Sequence, residues 1–245
     1  MNPSGSSLLR LEGISKSYAS SGPWPWVTRG KVVVLDSVTL EIDSGEIVGL
    51  VGRSGVGKST LARILAGMER PDSGTRTYLG RQWNSDRIPP SLRREVQYVF
   101  QNPASSLNPR MTAWHQLLEA PLCLRMGRRP AVMHRMREIA SLLGLEGSSL
   151  ERYPHQFSGG QQQRLALARA LSVEPRVLIC DEITSALDSR NAENLASLLQ
   201  RINREMGVAV AFVSHDLPLV EGLCRRILQL SEGRLEPFPG HPTEE

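Results

Sequence analysis

Between Gly52 and Ser59 the chain reads Gly-Arg-Ser-Gly-Val-Gly-Lys-Ser, which fits the pattern G-x-x-x-x-G-K-[ST]. The stretch follows the apolar run "EIVGLV" and opens a helix-like pattern in which Leu61, Ile64 and Leu65 share one face. Glycine weakens a strand interior, so glycines at 52, 55 and 57 serve something other than packing. They let successive backbone N–H groups converge on the β- and γ-phosphates of a nucleoside triphosphate. The helix N-terminus adds positive potential, Lys58 a point charge, and Ser59 a hydroxyl for Mg²⁺.

Four further stretches fit the same chemistry. "VLICDE" (177–182) is an apolar strand ending in two carboxylates. Asp181 is placed to hold Mg²⁺ through water, and Glu182 to orient and deprotonate an attacking water. Asp-Glu after apolar residues also occurs at plain surface turns; the phosphate loop decides for the nucleotide. Cys180 reads as a small buried apolar residue. His215 follows "AVAFVS" and Gln101 follows "VQYVF". A lone histidine is commonly structural, but the C-terminal end of a strand is where open α/β sheets bind ligands. Gln101 sits in a similar position, within reach of the γ-phosphate or the metal. In "FSGGQQQRLALARAL" (157–171), Ser158 can cap a helix whose first turn carries two glycines, a second anion site. Since the 52–59 loop already encloses the phosphates, this terminus is best explained as reading a nucleotide held by another subunit.

These residues need a scaffold that brings strand ends together. Residues 8–18 and 31–52 are β-rich. Between them "ASSGPWPWVTRG" reads as a surface loop or extended hairpin, with Trp24 and Trp26 forming either a contact surface or a local packing staple. Residues 103–157 are punctuated by proline and arginine, with helical patches such as "TAWHQLLEAPLCL" and "MREIASLLGL". Strand character returns at 176–181 and 208–216. Between these, Leu195, Leu198, Leu199, Ile202 and Met206 form an amphipathic stripe closed by Gly207. Alternating strands and helices predict an α/β sheet with crossover helices. We divide the single domain, 1–245, into a nucleotide-binding core (8–102 and 166–234), a helical subdomain (103–165) and a short tail (235–245).

Bulk properties exclude several classes. The chain has 245 residues, 40% hydrophobic and 22% charged, as expected of an ordinary globular protein. No apolar run approaches the roughly 20 residues of a membrane span, and the N-terminus has no secretion-type apolar region. Cys123, Cys180 and Cys224 form no CxxC pair, which predicts a reduced, cytosolic chain. The formal charge of +4 is dispersed; its densest run, 125–137, reads as a solvated helix face, and no nucleic-acid partner is expected. The histidines and cysteines make no ligand-spaced cluster, so no transition-metal site is expected.

Taken in order and spacing, "GRSGVGKST", Gln101, "FSGGQ", "VLICDE", "SALD" (185–188) and His215 resemble the nucleotide-binding subunit of ATP-binding-cassette transporters, from about Leu8 to Arg234. The resemblance implies a P-loop α/β fold with a mixed β/parallel-sheet core and an inserted helical subdomain. It implies ATP and Mg²⁺ as cofactors. Gly52, Arg53, Ser54, Gly55, Val56, Gly57, Lys58, Ser59 and Thr60 would hold the phosphates, and Tyr18 would stack on adenine. Ser59, Gln101 and Asp181 would serve the metal, Glu182 as the base, and His215 as the γ-phosphate contact. It also implies a head-to-tail dimer in which Ser158, Gly159, Gly160 and Gln161 reach the partner's ATP and Asp188 lies at the seam. Gln101 would couple the nucleotide to membrane subunits, and the helical insert would receive a coupling helix.

"VFQNPASSLNPRMT" and "YPHQFSGGQQQR" are similar to ATPases of dipeptide, oligopeptide and nickel importers, as is the extra loop after Tyr18. "RSGVGKSTLARILAGMERPDSG" and "DLPLVEGLCRRILQL" look closest to the second ATPase of nickel or metal-chelate importers. Peptide-importing relatives usually carry a C-terminal extension, whereas this sequence stops soon after "EGRLEPFPG". Ile183 stands where the family usually has proline. The expectation is an importer ATPase for nickel or a metal chelate, peripheral at the cytoplasmic face of a bacterial inner membrane. Its partners would be a paralogous ATPase (or a second copy), two permease subunits and an extracytoplasmic solute-binding protein. A peptide importer is the alternative. A soluble cassette acting on DNA or ribosomes fits less well, because the inserted coiled coils and zinc-binding cysteines of such proteins are missing. A GTPase or small-molecule kinase does not explain "FSGGQ".

Overall fold

Two sheets organise the structure, a computed structural model that describes residues 7–21, 28–83 and 88–240; Trp24, Trp26 and His241 lie outside these. In the first, β1 (Leu9–Ser21) pairs antiparallel with β2 (Thr28–Ile42) along nearly its whole length, from Leu9 opposite Ile42 to Ser21 opposite Thr28. The loop expected after Tyr18 is therefore flanked by an extended hairpin. On its other side β1 pairs antiparallel with β4 (Ser73–Tyr78), which continues to the short β5 (Arg81–Gln82).

The second sheet has six strands in the order β10-β9-β3-β8-β7-β6. β3 (Ile47–Val51), β6 (Val96–Val99), β7 (Val177–Asp181), β8 (Ala209–Val213) and β9 (Arg226–Ser231) run parallel. Every residue of β3, β7 and β8 is buried, which is why these strands read as continuous apolar runs rather than as alternation. β10 (Arg234–Pro237) returns antiparallel to β9 through a turn at Glu232-Gly233. The tail expected from 235 thus begins as sheet: Phe238 N still donates to Ile227 O at 2.9 Å. A two-residue turn needs no long connection, and Pro237 can close an edge strand because it has no ladder bond to donate outward.

The helices are α1 (Lys58–Leu65), α2 (Pro90–Glu95), α3 (Ala113–Cys123), α4 (Arg129–Leu142), α5 (Gly159–Leu171), α6 (Ser189–Met206) and α7 (Leu217–Leu223). From Pro103 to Leu171 all regular structure is helical, and position 165 falls inside α5. On α4, Val132, Met136, Ile139 and Ala140 turn inward while Arg129, His134 and Arg137, and Arg128 at the N-cap, are exposed. On α6, Leu195, Leu199 and Ile202 are buried, Leu198 and Met206 pack at the margin, and Gly207 forms the C-cap.

The parallel sheet separates two apolar clusters. Val48, Leu50, Val177, Ile179, Ala211 and Val213 face α1 and the antiparallel sheet. Their neighbours Ile47, Val51, Leu178, Cys180, Val210 and Phe212 face α6, α7 and the helices of 113–171. Period-2 alternation sends successive side chains to opposite layers, both dry. Consequently the C-terminal ends of β3, β6, β7 and β8 emerge side by side along one edge, between the layers.

Candidate functional site

That edge carries the chemistry. The loop after β3 enters α1 through Gly52 at φ 153° and Gly57 at φ 114°. A Cβ on Gly52 would lie 2.5 Å from Leu230 O, and one on Gly57 would lie 2.5 Å from Val34 Cγ1. Both positions therefore require glycine on conformational and on steric grounds. Arg53, Ser54 and Gly55 are exposed, with Val56 and Gly57 half-buried, so the loop's concave side is open to an incoming group.

Lys58, the first residue of α1, is 4% exposed. Its ammonium donates to Gly52 O at 2.9 Å and Arg53 O at 3.1 Å, and lies 3.3 Å from Glu182 Oε1. All three N–H donors of the buried charge thus have acceptors. The next residue, Ser59, donates from Oγ to Asp181 Oδ1 at 3.0 Å. The second Asp181 oxygen accepts from the hydroxyl of Tyr98, on β6. Burial, reinforced by the Asp181 carboxylate, pushes the Tyr98 phenol far above its ordinary pKa, so it stays a protonated donor.

Glu182 follows β7 directly, with its N–H donating to Val213 O at 2.9 Å and its backbone in the left-handed region at φ 50°. A left-handed backbone is unusual for glutamate, and it accompanies the contact of the side chain with Lys58. His215 Nδ1, past the end of β8, lies 3.9 Å from Glu182 Oε1, and its ring is more than half exposed. Ile183, in the place where proline was expected, is 2% exposed and packs into the helical-side cluster.

The structure therefore brings Lys58, Ser59, Asp181, Glu182 and His215 into one contact set. Gln101 stands at the same edge, with its amide donating to Ser185 Oγ at 3.0 Å. Tyr18 has its hydroxyl on Glu69 and 3.3 Å from Thr60 Oγ1; the residue is 39% exposed beside the start of α1, and Lys16 Nζ stands over its ring, 5.5 Å from the centroid. Ser158 caps α5 in a capping box with Gln161: Ser158 N donates to Gln161 Oε1 at 3.1 Å and Gln161 N to Ser158 Oγ at 3.4 Å. Ser158, Gly159 and Gln161 are all exposed, and a Cβ on Gly159 would meet open space. Asp188 caps α6, its carboxylate accepting from the Asn191 backbone and side chain, each at 2.8 Å.

Sequence reasoning missed Tyr98 and Ser185. A half-buried tyrosine on a strand between two buried valines needs a partner for its hydroxyl, and that was the available signal. Ser185 carried none, because its role depends on how the chain bends after Glu182.

A phosphate-sized cradle of backbone amides, a buried lysine, a hydroxyl–carboxylate pair and a carboxylate poised beside them define a P-loop nucleoside triphosphatase. The comparisons with known proteins narrow this. The ABC transporter family profile matches residues 35–185. The nickel import ATP-binding protein NikE of Escherichia coli (strain K12) is 39% identical over 234 residues, covering 93% of this chain and 85% of that protein. The oligopeptide transport ATP-binding protein OppF of the same strain is 39% identical over 232 residues, covering 90% of this chain and 65% of that protein. Among solved structures, the dimeric post-hydrolysis state of the ATP-binding cassette MJ0796, bound to ADP and Pi, superposes with a TM-score of 0.78 at 30% identity. It covers 95% of this chain and 99% of that one. Cassette cbiO1 from Clostridium perfringens, part of the transporter complex cbiONQ, gives a TM-score of 0.79 at 25% identity over 94% of this chain and 86% of its own. The chain belongs to the ABC transporter family. It is an ATP-binding, ATP-hydrolysing subunit with the cassette fold, and among its described residues no helix is long and apolar enough to cross a membrane.

Proposed function

We propose that this chain energises import of nickel or a metal chelate from the cytoplasmic face of a bacterial inner membrane. It would work with a paralogous ATPase, two permease subunits and an extracytoplasmic receptor. The observation that carries the ATPase chemistry is the contact set of Lys58, Ser59, Asp181, Glu182 and His215. The cargo reading rests on the 39% identity to NikE over 93% of this chain.

In this reading the amides of 52–57 and the Lys58 ammonium receive the β- and γ-phosphates, displacing the present ion pair between Lys58 and Glu182. Glu182, freed from its counter-ion, accepts a proton from the attacking water, and His215 donates a hydrogen bond to the γ-phosphate. The donor set of Ser59 Oγ and Asp181 Oδ1 is all hard oxygen, which suits Mg²⁺. When bound, Mg²⁺ would neutralise charge on the phosphate oxygens; Ser59 would hold it directly and Asp181 through water. The exposed capping box at Ser158 would offer amides to an ATP held by the partner cassette, Asp188 would lie at the seam, and Tyr18 would stack on adenine once Lys16, now over its ring, moves aside. Gln101 would respond to the permeases from its place beside Ser185.

The equal identity to OppF favours a second reading, import of dipeptides or oligopeptides. Radioactive nickel uptake and growth on dipeptides, measured in a strain lacking this gene, separate the two. Lost nickel uptake with intact peptide growth is expected; the reverse pattern refutes the nickel assignment. In the purified transporter, Ser158→Ala on this chain should abolish ATP-driven pairing of the cassettes while leaving ATP binding to the isolated chain intact.

A further inference from the structure

Asp181 is 7% exposed, and a carboxylate so placed can rotate about its Cβ–Cγ bond unless both oxygens are fixed. In this chain both are. Ser59 Oγ takes Oδ1 at 3.0 Å, and the Tyr98 hydroxyl takes Oδ2. The two donors come from different elements on the same face of the sheet: Ser59 from the first turn of α1, Tyr98 from β6, the edge strand paired in parallel with β7 through Tyr98 opposite Ile179 and Val99 opposite Cys180. The Tyr98 hydroxyl bonds Asp181, not the phosphate loop or Glu182. Its ring packs on Phe100 with centroids 4.7 Å apart, and lines a cleft of about 370 Å³ shared with Met68, Arg93 and Arg169.

We propose that Tyr98 is a positioning residue for the metal-holding carboxylate: by fixing Asp181 Oδ2 it aims Oδ1 at Ser59 and so sets the affinity of the nucleotide site for Mg²⁺. Groups that hydrogen-bond a ligating carboxylate and fix its orientation are worth roughly 10- to 100-fold in metal affinity. A phenol suits the task because its rigid ring is anchored by packing, leaving only the hydroxyl hydrogen to turn. The geometry also accounts for a tyrosine here where the neighbouring strand positions Val96 and Val99 are apolar. A hydrophobic residue would fill the same space but leave one oxygen of a buried carboxylate without a donor.

The proposal rests on the reading of Ser59 and Asp181 as the Mg²⁺ site, and the test keeps the two apart. The affinity of the full chain for a fluorescent ATP analogue is measured in excess Mg²⁺ and in EDTA, for the parent, Tyr98→Phe, Tyr98→Met, Phe100→Leu and Ser59→Ala. The Mg²⁺ concentration giving half-maximal tightening is measured for each as well. Tyr98→Phe and Tyr98→Met should both raise that concentration about tenfold while leaving binding in EDTA unchanged. Phe100→Leu, which disturbs the ring packing but not the hydroxyl, should leave it near the parent's. If Ser59→Ala shifts the Mg²⁺ requirement and neither Tyr98 variant does, the positioning role is wrong. Equal weakening with and without Mg²⁺ in the Tyr98 variants, or loss of folding in both, would make Tyr98 a packing residue and overturn the proposal. If Ser59→Ala itself leaves the Mg²⁺ requirement untouched, the metal site has been misplaced and the proposal falls with it.

Discussion

Replacing Glu182 by Gln removes one negative charge while keeping the side chain's shape, and its effects on binding and turnover should have opposite signs. Glu182 Oε1 lies 3.3 Å from Lys58 Nζ and 3.9 Å from His215 Nδ1. At an effective dielectric near 20, two unit charges 3.3 Å apart attract by about 5 kcal/mol. Desolvation offsets most of this, since Lys58 and Glu182 side chains are only 3% and 15% exposed. A residual of about 1 kcal/mol corresponds to roughly a fivefold change in an equilibrium. An incoming triphosphate must displace Glu182 from Lys58 in the parent chain but not in the variant. Glu182→Gln should therefore bind ATP about fivefold more tightly and, lacking the proton acceptor, hydrolyse it roughly 10²- to 10⁴-fold more slowly. Equilibrium binding of labelled ATP and phosphate release by the assembled transporter give the two numbers. Unchanged turnover would refute the assignment of the base. Weakened binding would refute the idea that Glu182 and the triphosphate compete for Lys58.

Three other perturbations follow from the geometry. Gly52→Ala should destabilise the chain by about 1–3 kcal/mol, read from urea midpoints, because φ 153° and a 2.5 Å approach to Leu230 O leave no room for a Cβ. Asp72 accepts from Ser17 Oγ at 2.7 Å, Ser17 N at 2.8 Å and Lys16 Nζ at 3.3 Å; the hydrogen bonds from Ser17, and then Lys16, hold its carboxyl below the ordinary value of 3.8. A depressed carboxyl stabilises the fold above its unfolded pKa and loses that contribution as pH falls through the folded one. Asp72→Asn should accordingly flatten the loss of thermal stability below pH 3.8 and leave its slope near neutrality unchanged. Native-state alkylation near neutral pH should modify Cys123 alone of the three cysteines: Cys123 is exposed, whereas burial pushes the Cys224 thiol up to about 12 and Cys180 higher still. Mass spectrometry reads the outcome, and modification of Cys180 in folded protein would contradict the packing of the sheet.

Much of the site was legible because its residues sit in sequence-local patterns. The phosphate loop, the Asp-Glu after an apolar strand and the Ser158 cap each declare themselves within a few residues, since glycine geometry, strand burial and helix capping are local constraints. In the antiparallel sheet the two long strands were legible as β-rich stretches at 8–18 and 31–52, but their register and β4 were not. β1 alternates poorly because of register shifts between Leu11 and Ile14 and again near Lys16, and its partner β4 (Ser73–Tyr78) is rich in polar residues with little periodicity. β10 was hidden for a similar reason: Arg-Leu-Glu-Pro looks like a tail until the Glu232-Gly233 turn lays it against β9. The bonds from Tyr98 to Asp181 and from Gln101 to Ser185 span 83 and 84 positions along the chain and exist only through tertiary packing.

The helices of 113–171 have no private interior. Leu117, Val132, Met136, Leu165 and Leu171 belong to one apolar body with Leu178, Val210 and Phe212 of the sheet. Severed from the strands, that segment would show water a broad oily flank, and it should aggregate or stay molten rather than survive as a free module. Grafting it onto another cassette would therefore mean moving a seam along with the part, with the buried side chains of β7 and β8 that face it exchanged to match.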